Sequence, residues 1–286
     1  MLPKETIKFI GLSVLLVVAA LLSLFYGGSE TVLSGAAGEF IFNEIRIPKT
    51  ITAIIAGATL SVSGLILQII FRNPLAGPYV LGISSGASLM VALAVLAGGS
   101  WHFAGNAFTG KSFIVLSSVA GSFAITLLIL LISKKINSNV VLLLIGLMFS
   151  QICGALQTSL EYFADPGSLK NFVIWGMGSL ANTTHNDLLI YVPTGLIFLG
   201  LLLFFVKPLN ALLLGQNYTQ NAGINFSRNR FFLILISSVL TGLTTAFCGP
   251  IAFIGIAVPI LSRMLFKTAR QQVHFFSCML LGAILL

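Results

Sequence analysis

The side chains best suited to contact a solute lie on one face of a predicted helix. Within the apolar run 140–160 and just past it, small and polar residues recur at positions that fall within about 80° of one another on a helix. These residues are Gly146, Ser150, Gly154, Gln157 and Glu161. Two interpretations stay open: close helix packing, for which small residues and Gln are common in bilayers, or one wall of a path for a polar solute.

A phosphate-loop pattern, G-x-x-x-x-G-K-[ST], is present at 105–112. Such a loop binds phosphate where it joins a strand to a helix, because its backbone amides must converge on the ligand. Here the pattern lies between two predicted membrane spans, with no strand ending in an acid to hold magnesium. We therefore interpret it as a Gly-rich external turn and not as a nucleotide site.

Catalytic and metal-binding patterns are missing from the sequence. The chain contains no H-E-x-x-H and no paired carboxylates within a span. Cys153, Cys248 and Cys278 lie inside apolar runs without metal-ligand spacing. No predicted span has a charge near its centre, as an ion-coupled transporter normally would. We expect no cofactor, no metal centre and no enzyme activity, and we expect the driving energy to come from elsewhere.

The composition shows that the polar residues named above must lie within or between membrane-spanning segments. Of 286 residues, 57% are hydrophobic and 8% charged, against about 25% charged in an average soluble domain. Unbroken apolar runs such as Phe113 to Ile132 exclude the alternating pattern of a transmembrane barrel. The sequence predicts an all-α polytopic membrane protein with one transmembrane domain, 1–286, and it excludes a two-domain soluble enzyme.

Nine spans are predicted from apolar stretches and their Gly, Pro or polar boundaries. They are 9–26, 51–71, 79–98, 113–133, 140–160, 188–206, 231–248, 251–266 and one from about 274 onward. The last would reach only about 20 Å as a helix, less than the roughly 30 Å of hydrocarbon. We expect the sequence to be incomplete at this end.

Charge sets the predicted orientation. With the N-terminus in the cytoplasm, eleven Lys and Arg residues fall on the inner side and four outside, as the positive-inside rule requires. The net charge of +8 is scattered singly between apolar segments, so we expect no nucleic-acid partner.

Two outer segments are too long for simple turns. In the first, 27–49, residues Glu39 to Ile45 form an amphipathic stretch that predicts a short helix lying at the interface. In the second, 161–187, Asp165-Pro166 is a helix-start signal before 172–180.

Two segments resemble each other across the sequence, 73–86 and 248–259. Each has Pro followed four or five residues later by Gly-Ile, and five spans separate them, so they predict an inverted repeat. Their Pro and Gly residues should interrupt helices where protein or a cavity satisfies the freed backbone groups. The predicted break residues are Asn73, Pro74, Pro78, Gly82, Gly249, Pro250 and Pro259.

At these residues the chain resembles the FecCD-type permease family, the membrane subunits of ABC importers for ferric siderophores, haem and cobalamin. The resemblance covers nearly the whole sequence. Its motifs are Arg46 to Lys49, Gly64 to Gln68, Arg72 to Ala76, Leu81 to Ala87, Ala164 to Pro166, Trp175 to Leu180, Leu212 to Gly215, and Gly249 through Pro259 to Arg263.

The resemblance implies a homodimer, sometimes a heterodimer, of ten-helix subunits in the bacterial cytoplasmic membrane. The substrate path would lie between the subunits, with two ATPases in the cytoplasm and a periplasmic binding protein outside. The fifth helix lines the path in this family, and by analogy Ser150 and Gln157 are the preferred contacts. In this family the last helix supplies half of the path lining, and the chain stops inside the ninth predicted span.

The resemblance also implies two docking surfaces. The segment 212–230 matches the family's coupling helices, which predicts that Gly215, Tyr218, Ala222 and Gly223 contact the ATPase; a solvated loop is the alternative. Here Gln216, Asn217, Gln220 and Asn221 stand where relatives carry charges, so this docking should depend less on salt. Arg46 and Lys49 match the basic pair that meets the binding protein; headgroup anchors are the alternative.

The leading hypothesis is therefore the permease of a binding-protein-dependent ABC importer that carries a metal chelate, with ferric siderophore favoured. The alternative is a secondary transporter or channel that works without partners.

Overall fold

The computed structural model describes residues 4–26, 36–97, 107–133, 136, 138–214, 219, 221 and 223–286. All regular secondary structure in these ranges is helical. Six of the described helical segments are long and apolar enough to cross a membrane. The prediction of an all-α polytopic membrane protein is confirmed.

The helices of the described residues vary in length from five to 27 residues. They are α1 (Lys4–Phe25), α2 (Ala36–Phe40), the π-helical segment π1 (Ile41–Arg46), α3 (Ile47–Phe71), α4 (Ile83–Ala92), π2 (Leu93–Ala97), α5 (Ala107–Ser133), α6 (Asn139–Phe163), α7 (Pro166–Gly176), α8 (His185–Leu203), α9 (Val206–Leu214), α10 (Phe226–Cys248), α11 (Ile254–Phe266) and α12 (Gln271–Leu285).

Helix α3 is the centre of the bundle and is almost entirely buried. It packs against α10, α11 and α12. Glycines make these crossings close: a Cβ on Gly57 would overlap the backbone of Gly282 in α12, and a Cβ on Gly64 would overlap Gly255 in α11. In a bilayer, where lipid is as apolar as a side chain, such close backbone contact is a main source of helix association.

Helix α1 lies at the periphery and is tied down at both ends. Near its start, Lys8 donates through Nζ to the carbonyl oxygen of Leu265 at 2.6 Å, at the end of α11. At its end, Arg46 donates through Nη1 to the carbonyl oxygens of Leu24 and Phe25, at 2.8 and 3.1 Å. Cationic side chains thus satisfy the free carbonyls at two helix C-termini.

Three sequence predictions of element boundaries are wrong. The predicted span 79–98 begins as a helix only at Ile83, and 251–266 only at Ile254, because the Pro-containing turns before them cannot join the helical ladder. Glu39 to Ile45 is helical, as predicted, but the bounds of a short helix are wrong, since helical structure runs without interruption from Gly38 to Phe71. The wider π turns of π1 come just before Pro48, which has no N–H to donate.

Two helix starts are set by local capping. Asp165 caps α7 by accepting a hydrogen bond from the backbone N–H of Ser168 at 2.9 Å, with Pro166 in the first turn, which confirms the predicted start. That hydrogen bond holds the pKa of the Asp165 carboxyl below its ordinary value. Thr184 and Asp187 form a capping box at the start of α8, where Asp187 also pairs with Lys111 of α5 at 2.7 Å.

Most of the phosphate-loop pattern, residues 107–112, is helical. Residues 107–112 form the first turns of α5, so the predicted turn is wrong for them. Within the described residues, no group of His, Cys, Asp and Glu could hold a metal ion.

Candidate functional site

The predicted polar face of α6 is divided into two halves. In the first half, Gly146 is buried, and a Cβ there would lie 2.9 Å from the Cα of Leu81. Ser150 shares a hydrogen bond with Ser85 of α4, hydroxyl to hydroxyl. These contacts join α6 to the turn before α4 and to its first turn, so this half is a packing surface.

The second half of the face is open. No atom lies within 4 Å of a Cβ placed on Gly154. One turn further on, Gln157 donates through Nε2 to the Oε1 of Glu161 at 3.0 Å. Both side chains are half-buried, so the amide and the carboxylate form a linked polar pair that a solute could reach.

The first helix break, 72–82, is held by backbone and side-chain bonds. Asn73 accepts at Oδ1 from the N–H of Leu75 at 2.9 Å, which forms an Asx turn around Pro74. Gly82 has φ of 73°, a conformation that glycine adopts without steric cost. The carbonyl oxygen of Pro78 then accepts from the N–H of Ile83, the first residue of α4, at 3.0 Å.

The second break, 249–253, follows the end of α10 and also contains a glycine with positive φ. Gly249 has φ of 73°, and a Cβ there would lie 2.5 Å from the carbonyl oxygen of Trp175. Pro250 follows it in the turn, and Phe253, with φ of 66°, comes directly before α11. Pro259 lies inside α11 and removes one N–H from its ladder.

The structure packs the first break against the start of α11, beside α3. A Cβ on Gly255 would lie 2.8 Å from Cδ of Pro78, and a Cβ on Gly77 would lie 2.6 Å from Cγ1 of Ile256. The first break and the first turn of α11 therefore touch.

Sequence reasoning missed the polar link at this junction. Gln68 of α3 donates through Nε2 to the carbonyl oxygen of Ile256 at 3.1 Å, and Arg263 of α11 donates through Nη2 to the Oε1 of Gln68. Gln68 is buried and Arg263 half-buried. The available signal was their position inside apolar runs, where polar side chains are rare and need partners.

On the predicted outer docking surface, the two basic residues have different surroundings. Lys49 is exposed. Arg46 is only 7% exposed, and its guanidinium is bonded to the end of α1. The structure therefore places Arg46 as a helix cap, where the resemblance implies an accessible charge.

On the predicted ATPase surface, only Gly223 is described; Gly215, Tyr218 and Ala222 lie outside the described residues. Gly223 is exposed with φ of 74°, and its Cβ position is open. Next to it, the N–H of Ile224 donates to the carbonyl oxygen of Thr219 at 3.0 Å. This left-handed turn leads into α10.

A helix interruption that packs against the helix following a second interruption, beside a helix with an open polar face, is typical of a membrane transport permease. The chain belongs to the FecCD transport family, whose model matches residues 11–286, and the predicted resemblance is confirmed.

Two permease proteins are similar to this chain along most of their length. The hemin transport system permease protein HmuU of Yersinia pestis is 37% identical over 229 residues, which cover 78% of this chain and 66% of that protein. The vitamin B12 import system permease protein BtuC of Vibrio parahaemolyticus is 34% identical over 284 residues, covering 96% and 82%.

A solved structure agrees with this assignment. An inward-facing transporter described as a metal-chelate type ABC transporter matches with a TM-score of 0.84 and 31% identity, covering 97% of this chain and 87% of that one. The chain is thus an ABC importer permease of the type that includes haem and vitamin B12 permeases.

Proposed function

We propose that this chain is the membrane subunit of a binding-protein-dependent importer, and that it moves a metal chelate, a ferric siderophore by our preference, into the cytoplasm. The observation that carries the proposal is the open polar half of the α6 face, where Gly154 leaves space beside the Gln157–Glu161 pair. Amide and carboxylate groups can exchange hydrogen bonds with the polar periphery of a bulky solute.

A second copy of the chain would supply the opposite wall of the path. Along the middle of α6, large apolar side chains are exposed in the single chain: Leu144 at 54%, Met148 at 64% and Ile152 at 51%. Covering such a surface with an identical α6-containing subunit gives a closed two-fold dimer. The path would then run between two equal halves.

ATP hydrolysis is assigned to a separate cytoplasmic ATPase that docks on the segment around Gly223, and a binding protein is assigned to the opposite face around Lys49. The excess of Lys and Arg on one side of the membrane supports a cytoplasmic N-terminus in a bacterial inner membrane. This arrangement makes the permease a gate whose driving energy comes from its partner.

The test is uptake by cells that express the complete chain with its ATPase and binding protein, given a radiolabelled ferric siderophore, haem or cobalamin in separate assays. We expect siderophore uptake that disappears when the ATPase carries an inactivated nucleotide site. Preferred uptake of haem or cobalamin would overturn the siderophore assignment, but the chain would still be the permease of an ABC importer. Transport by the chain alone in sealed vesicles without ATP would establish the secondary transporter or channel instead.

A further inference from the structure

A groove that the proposed transport path does not use lies between α5, α8 and α10. It has a volume of about 1110 Å³. Helices α5 and α8 each pack on α10, but they barely contact each other along their lengths. Helix α10 therefore forms the floor of the groove and the other two form its walls.

The groove is apolar below its rim because each helix presents a row of side chains one turn apart. The floor carries Val239, Leu243 and Phe247, and the wall from α8 carries Ile190 and Phe198. Thr194, between these two, turns its hydroxyl to its own helix, where it donates to the carbonyl oxygens of Ile190 and Tyr191. The polar part of Thr194 is thus satisfied within α8.

The depth of this apolar surface matches one half of a bilayer. From Ile190 to Phe198, and again from Val239 to Phe247, the helices rise by about 12 Å. One leaflet contributes roughly 15 Å of the hydrocarbon core. An acyl chain that enters from the rim would therefore reach the bottom of the groove near the middle of the membrane.

Apart from Thr194, the polar and charged lining residues of the groove lie at its rim. Lys111 pairs with Asp187 at 2.7 Å, yet the Lys111 side chain remains 52% exposed, so its ammonium keeps donors for a further partner. His185 donates through Nε2 to the carbonyl oxygen of Asn43 at 2.7 Å. This bond holds π1 against the start of α8 and places the exposed carboxylate of Glu44 at the groove.

We propose that this groove is a binding site for an aminophospholipid, a lipid whose headgroup carries a phosphate and a primary ammonium. The phosphate binds Lys111, the ammonium binds Glu44, and one acyl chain occupies the apolar groove. With one cation and two carboxylates, the rim repels a headgroup that is only negative. A primary ammonium is favoured over a quaternary one because it donates hydrogen bonds to a carboxylate.

The test uses the complete chain, extracted in mild detergent and mixed in equal amounts with phosphatidylethanolamine, phosphatidylcholine and phosphatidylglycerol. Native mass spectrometry then measures which lipid stays bound. We expect phosphatidylethanolamine to be retained in preference to the other two. Equal retention of the three lipids, or preference for phosphatidylglycerol, would overturn the proposal.

Two matched pairs of variants locate the site. Ile190→Trp fills the groove and should abolish selective retention, whereas Leu189→Trp, at a neighbouring position that is 74% exposed and outside the groove, should not. Val115→Phe fills the groove from α5 and serves if Ile190→Trp does not fold, as judged by size-exclusion chromatography.

Glu44→Gln should lower the preference for phosphatidylethanolamine about fivefold, the effect of one charge at the membrane surface. Glu39→Gln, which removes an exposed acid outside the groove, should leave it unchanged. Unaltered retention in Ile190→Trp and Val115→Phe would place the lipid elsewhere, and a cross-link between copies through Leu116→Cys would identify a second chain as the occupant.

Discussion

Gln68 of α3 donates its side-chain amide to the carbonyl oxygen of Ile256 at 3.1 Å, across a sequence separation of 188 residues. One turn earlier on α3, Gly64 lies against the carbonyl of Gly255, the group to which Pro259 would donate if it had an N–H. Two neighbouring carbonyl groups of α11 are therefore in contact with two residues that lie four positions apart on α3. This junction also holds Pro78 of the other break.

Gly64→Ala should destabilise the protein, because the new Cβ would overlap backbone atoms of Gly255 that cannot move independently. We expect a loss of about 1–3 kcal/mol, the usual cost of overpacking, measured by unfolding in mixed micelles. Gly200→Ala is the control, since no atom lies within 4 Å of its Cβ position. Equal stability of the two variants would contradict the close crossing of α3 and α11.

Gln68 and Arg263 should be energetically coupled. Gln68→Leu leaves the carbonyl of Ile256 and the guanidinium of Arg263 without this partner, and Arg263→Leu removes the other half of the link. In a double-mutant cycle on unfolding free energy, we expect a coupling of about 1 kcal/mol. Strictly additive effects would show that the link does not stabilise the junction.

Lys49→Glu should weaken capture of the binding protein, with a larger effect at low salt, because an exposed charge acts mainly on association. Lys170→Glu is the matched control, as another exposed lysine that we place on the same side. Arg46→Ala should have a different effect and increase hydrogen exchange in the last turn of α1, whose carbonyls it satisfies. If Lys49→Glu and Lys170→Glu bind the partner equally well, Lys49 has no docking role.

Gly223→Arg should impair assembly with the ATPase and uptake driven by it. A failure of Gly223→Arg could come from backbone strain or from the bulk of the arginine side chain. Gly223→Ala separates these two causes, because it has the same strain at a φ of 74° but adds little volume. We expect assembly in a pull-down assay to fail for the arginine variant and to persist for the alanine variant. Normal assembly and uptake by Gly223→Arg would exclude this surface from coupling.

Gln157→Ala should reduce substrate uptake without a loss of stability, because its amide bonds to Glu161 of the same helix, on the open half of α6. Thr158→Ala changes a neighbouring exposed residue off that face and should transport normally. We expect a several-fold decrease for Gln157→Ala, corresponding to about 1 kcal/mol for one hydrogen bond. Identical uptake by the two variants would remove Gln157 from the path.

The structure shows that the first half of the polar α6 face packs against other helices and that the second half is open. The helical periodicity of the sequence could not make this distinction. A common helical face shows that Gly146, Ser150, Gly154, Gln157 and Glu161 point the same way, but it carries no information about the neighbour. Packing against Leu81 and Ser85 occupies the first part of the face, and the second part remains open. Arg46 shows the same limit, because the sequence does not tell which partner its charge contacts, and the structure places its guanidinium on the carbonyl oxygens at the end of α1.

The sequence by itself determined the membrane-embedded all-helical class, most of the spans, the Asp165 helix start and the two interruptions. Each of these depends on the transfer free energy of a continuous segment or on the backbone chemistry of Pro and Gly, both of which are local. Only the tertiary structure decided that the first interruption meets the start of α11 beside Gly64 and Gln68, and that a groove remains between α5 and α8. Those relationships depend on which helix surfaces approach each other, and contact between residues far apart in the chain leaves no periodic signal in either segment.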